Sequence, residues 1–260
     1  MSQNQAASNA APAAAPAAVS KSQNDVVLHE VEVKTYGMGE KLNRLRAAVL
    51  GANDGIVSTA AVVVGVAGAT SSSREIITAG VAALVGGAVS MALGEYVSVS
   101  SQRDAENAAI GTERNLHDND PAGEFNHLVQ AYKNSGLSEE TAIAVAQERT
   151  ANDPLAAHLE VHYGIDEEDL VSPWSAAIAS FLAFFVGALI PLVAIIAAPA
   201  SARLLITMIV TLIALAVTGF ISAKLGNAKP GRAVVRLVVG GALALAVTFG
   251  AGSLLGTSVA

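Results

Sequence analysis

Asp54 sits about nine residues inside an apolar run, Leu45 to Ala69, that is otherwise long enough to cross a bilayer. A carboxylate at that depth costs several kcal/mol by most estimates, so it marks a working site rather than a packing one. Counting from the two ends of neighbouring runs finds its partners. Asp54 lies roughly 13 Å from the start of its run, and Met91 lies roughly 15 Å from the far end of the next, at 1.5 Å per residue. Antiparallel neighbours therefore bring Asp54 and Met91 to one level. Glu95 follows Met91 by four residues and shares its face one turn away. Carboxylate oxygen plus thioether sulfur suits a borderline divalent metal such as Fe²⁺. Buried carboxyls also exchange protons, because burial raises their affinity for them.

A second set of metal-binding residue types lies between residues 102 and 170. Glu113, Glu124, His127, Glu148, Asp153, His158 and Glu160 recur there on stretches with helical spacing. Glu124 and His127, at i and i+3, face one side of a helix and suit a shared metal. The ligand set taken from this region is Glu113, Glu124, His127, Glu148 and Asp153. Fifteen acids against four Lys or Arg also make the region a general lure for cations.

The elements that position these groups are all helical. Hydrophobic residues make up 52% of the chain and charged ones 14%, and residues 173–260 contain no Asp or Glu. Five runs are long enough to span: 45–69, 76–100, 174–198, 203–224 and 233–255. Tight joints separate the first from the second and the last three from one another, so consecutive spans are antiparallel neighbours. The expected fold is all-α: a tail over 1–40, spans one and two over 41–101, a small helical metal-binding domain over 102–170, and spans three to five over 171–260. Ser138 opens one helix of that domain as a cap. Gly51 with Gly55, and Gly65 with Ala69, have the spacing that lets helices approach closely in lipid, here against a second copy of the chain.

Of the 15 Lys and Arg residues, all but Arg74 and Arg203 fall on one side of the spans. That bias places the N-terminus and residues 102–170 in the cytoplasm and the C-terminus outside. No cysteine is present, which excludes disulfides and thiolate metal sites. No phosphate-cradling glycine loop, nucleophile triad or basic aromatic patch occurs. The reading is therefore of neither an enzyme nor a nucleic-acid binder, with no organic cofactor and no ATP-driven step.

Leu45 to Thr59, Gly87 to Asp104, and Asp153 to His158 together resemble the vacuolar iron transporter family, over about residues 43–256. The resemblance implies a homodimeric five-span exchanger, read here as a bacterial member, that moves Fe²⁺ and sometimes Mn²⁺ out of the cytosol against protons. It implies that Asp54 and Met91 line a path between subunits, and that Glu113 and Glu124 each begin a Glu-xx-Glu metal-binding pair. Leu116 and His127 stand where the second glutamates would be, Thr150 where a methionine ligand would be, and Ala83 where some relatives carry a carboxylate. These departures imply a weaker or altered site. With no recognisable organellar signal, the expected location is the plasma membrane. The competing reading is a membrane-anchored metal-binding or sensing protein that transports nothing.

Overall fold

The computed structural model describes residues 38–166 and 170–259, and the expected tail over 1–40 falls almost wholly outside them. Among the described residues every regular element is helical. The order is α1 (Met38–Ala69), α2 (Ser73–Asn119), α3 (Pro121–Asn134), α4 (Glu139–Asn152), α5 (Pro154–His158) with a π-helical turn (Leu159–Tyr163), α6 (Pro173–Ala197), α7 (Arg203–Leu225) and α8 (Pro230–Val259). Five of these, α1, α2, α6, α7 and α8, are long and apolar enough to cross a membrane. The chain is a multi-pass membrane protein, and the five runs read from sequence correspond to these helices in order.

Local chemistry sets the shorter elements. Asp120 accepts from the Gly123 amide at 2.9 Å to start α3, with Pro121 in the first turn. Ser138 caps α4 through the Thr141 amide, as its position predicts. Asp153 caps α5 through the Ala156 amide at 2.9 Å, with Pro154 next. Gly164 ends the π turn at a positive φ of 64°, a conformation that glycine adopts freely. At the start of α6, Trp174 packs against Tyr96, with ring centroids 5.0 Å apart. Such amphipathic rings favour the boundary between lipid and water.

α2 runs unbroken for 47 residues, about 70 Å. It crosses the boundary expected at 101–102 without a joint, so the region beyond it hangs on a continuous helix. That region has a small core of its own, Leu128, Ala146 and Ala157, flanked by Phe125 and Val161.

α1 is the central helix, packed on α6, α8, α2 and α7. Its small residues serve these contacts within the chain, not the second copy expected from their spacing. A Cβ on Gly51 would stand 2.6 Å from the Ser180 carbonyl oxygen of α6, and one on Gly55 would run into the Phe184 carbonyl. Gly65 faces Thr248 of α8 and Ala69 faces Gly256. The main apolar core joins Val63 of α1 and Leu84 and Ala88 of α2 to Phe184, Ala188 and Leu192 of α6.

Gly55→Ala should therefore destabilise the protein by about 1–3 kcal/mol, the usual cost of overpacking. Gly86→Ala, where nothing lies within 4 Å, should not. Thermal unfolding of the two variants in detergent, followed by circular dichroism, checks this contrast.

Candidate metal sites

α1 turns its glycine face to α6, and one face over, Asp54, Ser58 and Val62 are left lining a groove against α2. The opposite wall carries Gly87, Met91 and Glu95, and Phe184 closes one side. The groove holds about 440 Å³. Asp54, Met91 and Glu95, matched by depth in the sequence, thus share one space. Ala83 lines the same groove. Glu95 is only 6% exposed, and the Arg46 guanidinium lies 3.4 Å from its Oε2.

The second centre forms where α2, α3 and α5 meet. Glu113 and His117 lie one turn apart on α2, Glu124 opens α3, and His158 ends α5. Each offers one ligand atom, and these atoms all lie within 4.8 Å of one another. Glu113, Glu124 and His158 are buried. His158 Nδ1 is 3.6 Å from Glu113 Oε2 and 3.3 Å from Glu124 Oε2, and the His117 ring meets His158 edge-on, centroids 4.5 Å apart. Glu113 Oε2, His117 Nε2 and both His158 nitrogens are buried without a hydrogen-bond partner. Buried polar atoms are normally paired, and a bound cation would satisfy Glu113 Oε2, His117 Nε2 and one of the two His158 nitrogens together. Two carboxylates and two imidazoles fit a borderline divalent metal. Burial first, then the neighbouring His117, holds the His158 imidazole below its ordinary value of 6.5, against the pull of Glu113 and Glu124. The ring is therefore neutral at pH 7, with a lone pair free for a metal.

The remaining residues from the sequence set lie apart from this cluster. His127 Nδ1 is 3.4 Å from Glu124 Oε1, but its side chain is 71% exposed, outside the buried group. Glu148 is exposed on α4. Asp153 is exposed and spends Oδ1 on the α5 cap. Glu160 pairs with Arg149. Leu116 points out at 44% exposed, and the next residue, His117, supplies the inward donor.

Residues 45–253 match the sequence pattern of the VIT family, which covers most of the chain. This chain belongs to the VIT family. The match takes in both the groove and the buried cluster. Among curated relatives, the "Vacuolar iron transporter" of Acanthamoeba castellanii is 40% identical over 81% of this chain and 78% of its own length. The "Vacuolar iron transporter homolog 1" of Oryza sativa subsp. japonica is 38% identical over 82% of this chain and 74% of its own. The "Vacuolar iron transporter homolog 2" of Arabidopsis thaliana is 36% identical over 87% of this chain and 92% of its own. The VIT family is one of transporters, not of enzymes in the usual sense.

Two cluster residues were missing from the ligand set read in the sequence. His117 had a usable signal, since it follows Glu113 by four residues and so shares its face. His158 had none sharper than its residue type, because only the fold brings α5 onto α2.

His158→Ala should weaken Mn²⁺ or Co²⁺ binding by at least 10- to 100-fold, on the order expected even for a supporting partner. Glu148→Ala should leave it unchanged. Calorimetric titration of the purified full chain checks both. Because His158 stays neutral to lower pH than an ordinary histidine, wild-type binding should persist through pH 6.5 and fail only below it, as protons displace the metal. Loss already well above pH 6.5 would contradict this.

Proposed function

We propose that the chain carries divalent metal, Fe²⁺ first and Mn²⁺ second, through the membrane in exchange for protons. The observation that carries this reading is the convergence of Asp54, Met91 and Glu95, from two helices, on one groove within the spanning bundle. The names of the relatives support iron as the cargo. Met91 gives a soft donor and Asp54 a hard one, so a cation shed of part of its water finds ligands at depth. When the cation leaves, the Asp54 carboxylate takes up a proton, and it gives that proton up when the next cation binds, which couples the two movements.

The groove is open on one side, and we propose that a second copy of the chain completes it, so that the path runs at a homodimer interface. Residues 102–170 form a metal-binding domain that faces the cytosol, where the buried cluster gathers cargo before it enters the groove. Transport then runs away from the cytosol. In an internal membrane, as the relatives' names have it, that direction stores metal; in a cell membrane it exports it.

The orphaned donors of the cluster would equally serve a protein that only binds or senses metal. The groove separates the two readings, because a sensor has no use for a carboxylate within the spans.

Fe²⁺ and Mn²⁺ entry into proteoliposomes should be dependent on a pH gradient in wild type and abolished in Asp54→Ala. Met91→Ala should slow Fe²⁺ more than Mn²⁺, since the softer ion loses more with the sulfur. Flux that survives Asp54→Ala would remove the groove from the path. Metal binding without any flux would favour the sensor.

A further inference from the structure

Arg46 stands between two openings. The groove beside Asp54 and Met91 reaches Glu95 and Ser98 on α2. A second cleft, of about 470 Å³, lies against Asn43 and Arg46 of α1, Gln102 and Glu106 of α2, and Tyr163 and Asp166 after the π turn. Tyr163 ends the π turn that begins directly after His158 of the buried cluster. The cleft thus lies between the turn that follows His158 and the Arg46–Glu95 pair beside the groove. Arg46 lines the cleft, and Glu95 lines the groove.

The pair is held in place. Asn43 Oδ1 accepts from Arg46 Nε at 3.2 Å and Nη2 at 3.0 Å, and the same Nη2 reaches Glu95 Oε2 at 3.4 Å. The Glu95 side chain is 7% exposed and that of Arg46 57%. A carboxylate so enclosed needs a positive partner, and the guanidinium supplies it. A divalent cation at Glu95 would satisfy the same carboxylate and repel the guanidinium beside it. Arg46 and the cation thus compete for one site. Arg46 has somewhere to go, since its long side chain already meets solvent over more than half its surface.

We propose that Arg46 is the closing residue of the path: a built-in cation that holds Glu95, seals the groove from the cleft, and is displaced when a divalent ion arrives. The inference rests on the transport reading of the groove. It assigns Arg46 a positioning role that a basic residue serving only to set membrane orientation would not have.

The absence of cysteine makes a direct test available. Ser90→Cys puts one thiol in the groove, beyond Glu95 as seen from the cleft. The full chain in liposomes is treated with a charged, membrane-impermeant thiosulfonate from the side bearing residues 102–170. With Arg46 in place the thiol should react slowly. Arg46→Ala should speed the reaction by about tenfold, the shift expected when one partner of a two-state closure is lost. Arg46→Lys should restore slow reaction, as should the exchanged pair of Arg46→Glu with Glu95→Arg. A parallel Ala88→Cys reporter, in the core between α2 and α6, stays unreactive unless the variant has unfolded. If Arg46→Ala does unfold, the lysine and exchanged variants decide: slow reaction in both supports the seal. Equal rates with and without Arg46, or fast reaction already in wild type, would overturn it. The readout does not depend on flux. Arg46-dependent labelling without flux would overturn the transport reading and leave the seal standing; flux with Arg46-independent labelling would do the reverse.

Discussion

The packing of Phe184 between α1 and α2 is the contact on which the rest of the bundle depends. Its backbone lies against Gly51 and Gly55, and its ring against Gly87. The side chain is 1% exposed. Without Cβ atoms on those two glycines, α1 approaches α6 closely enough to fix its rotation about its own axis. Once that rotation is set, Asp54, one residue before Gly55, can only turn about a quarter of the way round, to the groove beside α2. The same ring, resting on Gly87, sets the position of the α2 face that carries Met91 and Glu95. A charged group in the middle of a span is expensive wherever it points. The glycine contact gives it a single polar place to point.

α2 links the two polar centres by simple helical arithmetic. Glu95 and Glu113 are 18 residues apart, five whole turns of about 3.6 residues, so they project from one face about 27 Å apart. With no break in that helix, a ligand at the buried cluster and one in the groove are held at fixed separation and orientation. The cluster is also built to be reactive. Its donors come from three helices, two of which start at the Asp120 and Asp153 caps, and four of its polar atoms are left unpaired. Capping acids outside and orphaned donors inside divide the acidic residues of this region between structure and binding, a division that composition does not reveal.

What could be read from the sequence follows the range of the interactions involved. The five spans depend on unbroken apolar length, and depth along antiparallel spans depends on rise per residue, so both helices and the shared level of Asp54, Met91 and Glu95 were legible. The Ser138 cap was legible for the same local reason. The partner of the Gly51 and Gly55 face was not, because small-residue spacing permits close approach without naming the neighbour, and α6 filled it. Asp153 looks like a ligand in a list of acids and is a helix cap in the fold. His117 and His158 could not be paired in advance, since one lies on the long helix and the other 41 positions away behind three capped helix starts. α2 continues past residue 101 because polarity changes there while helical propensity does not.

The central claim is that Asp54 exchanges a proton for a metal ion at the groove. The most direct test follows the proton itself. Wild-type and Asp54→Asn protein are reconstituted in liposomes with a trapped pH-sensitive dye, and an Mn²⁺ gradient is imposed with no pH gradient present. The account predicts proton movement opposite to the metal in wild type and none in Asp54→Asn, whose amide keeps the shape and lacks the titrating group. Metal entry in wild type with no change in internal pH, or proton movement that persists in Asp54→Asn, would contradict it.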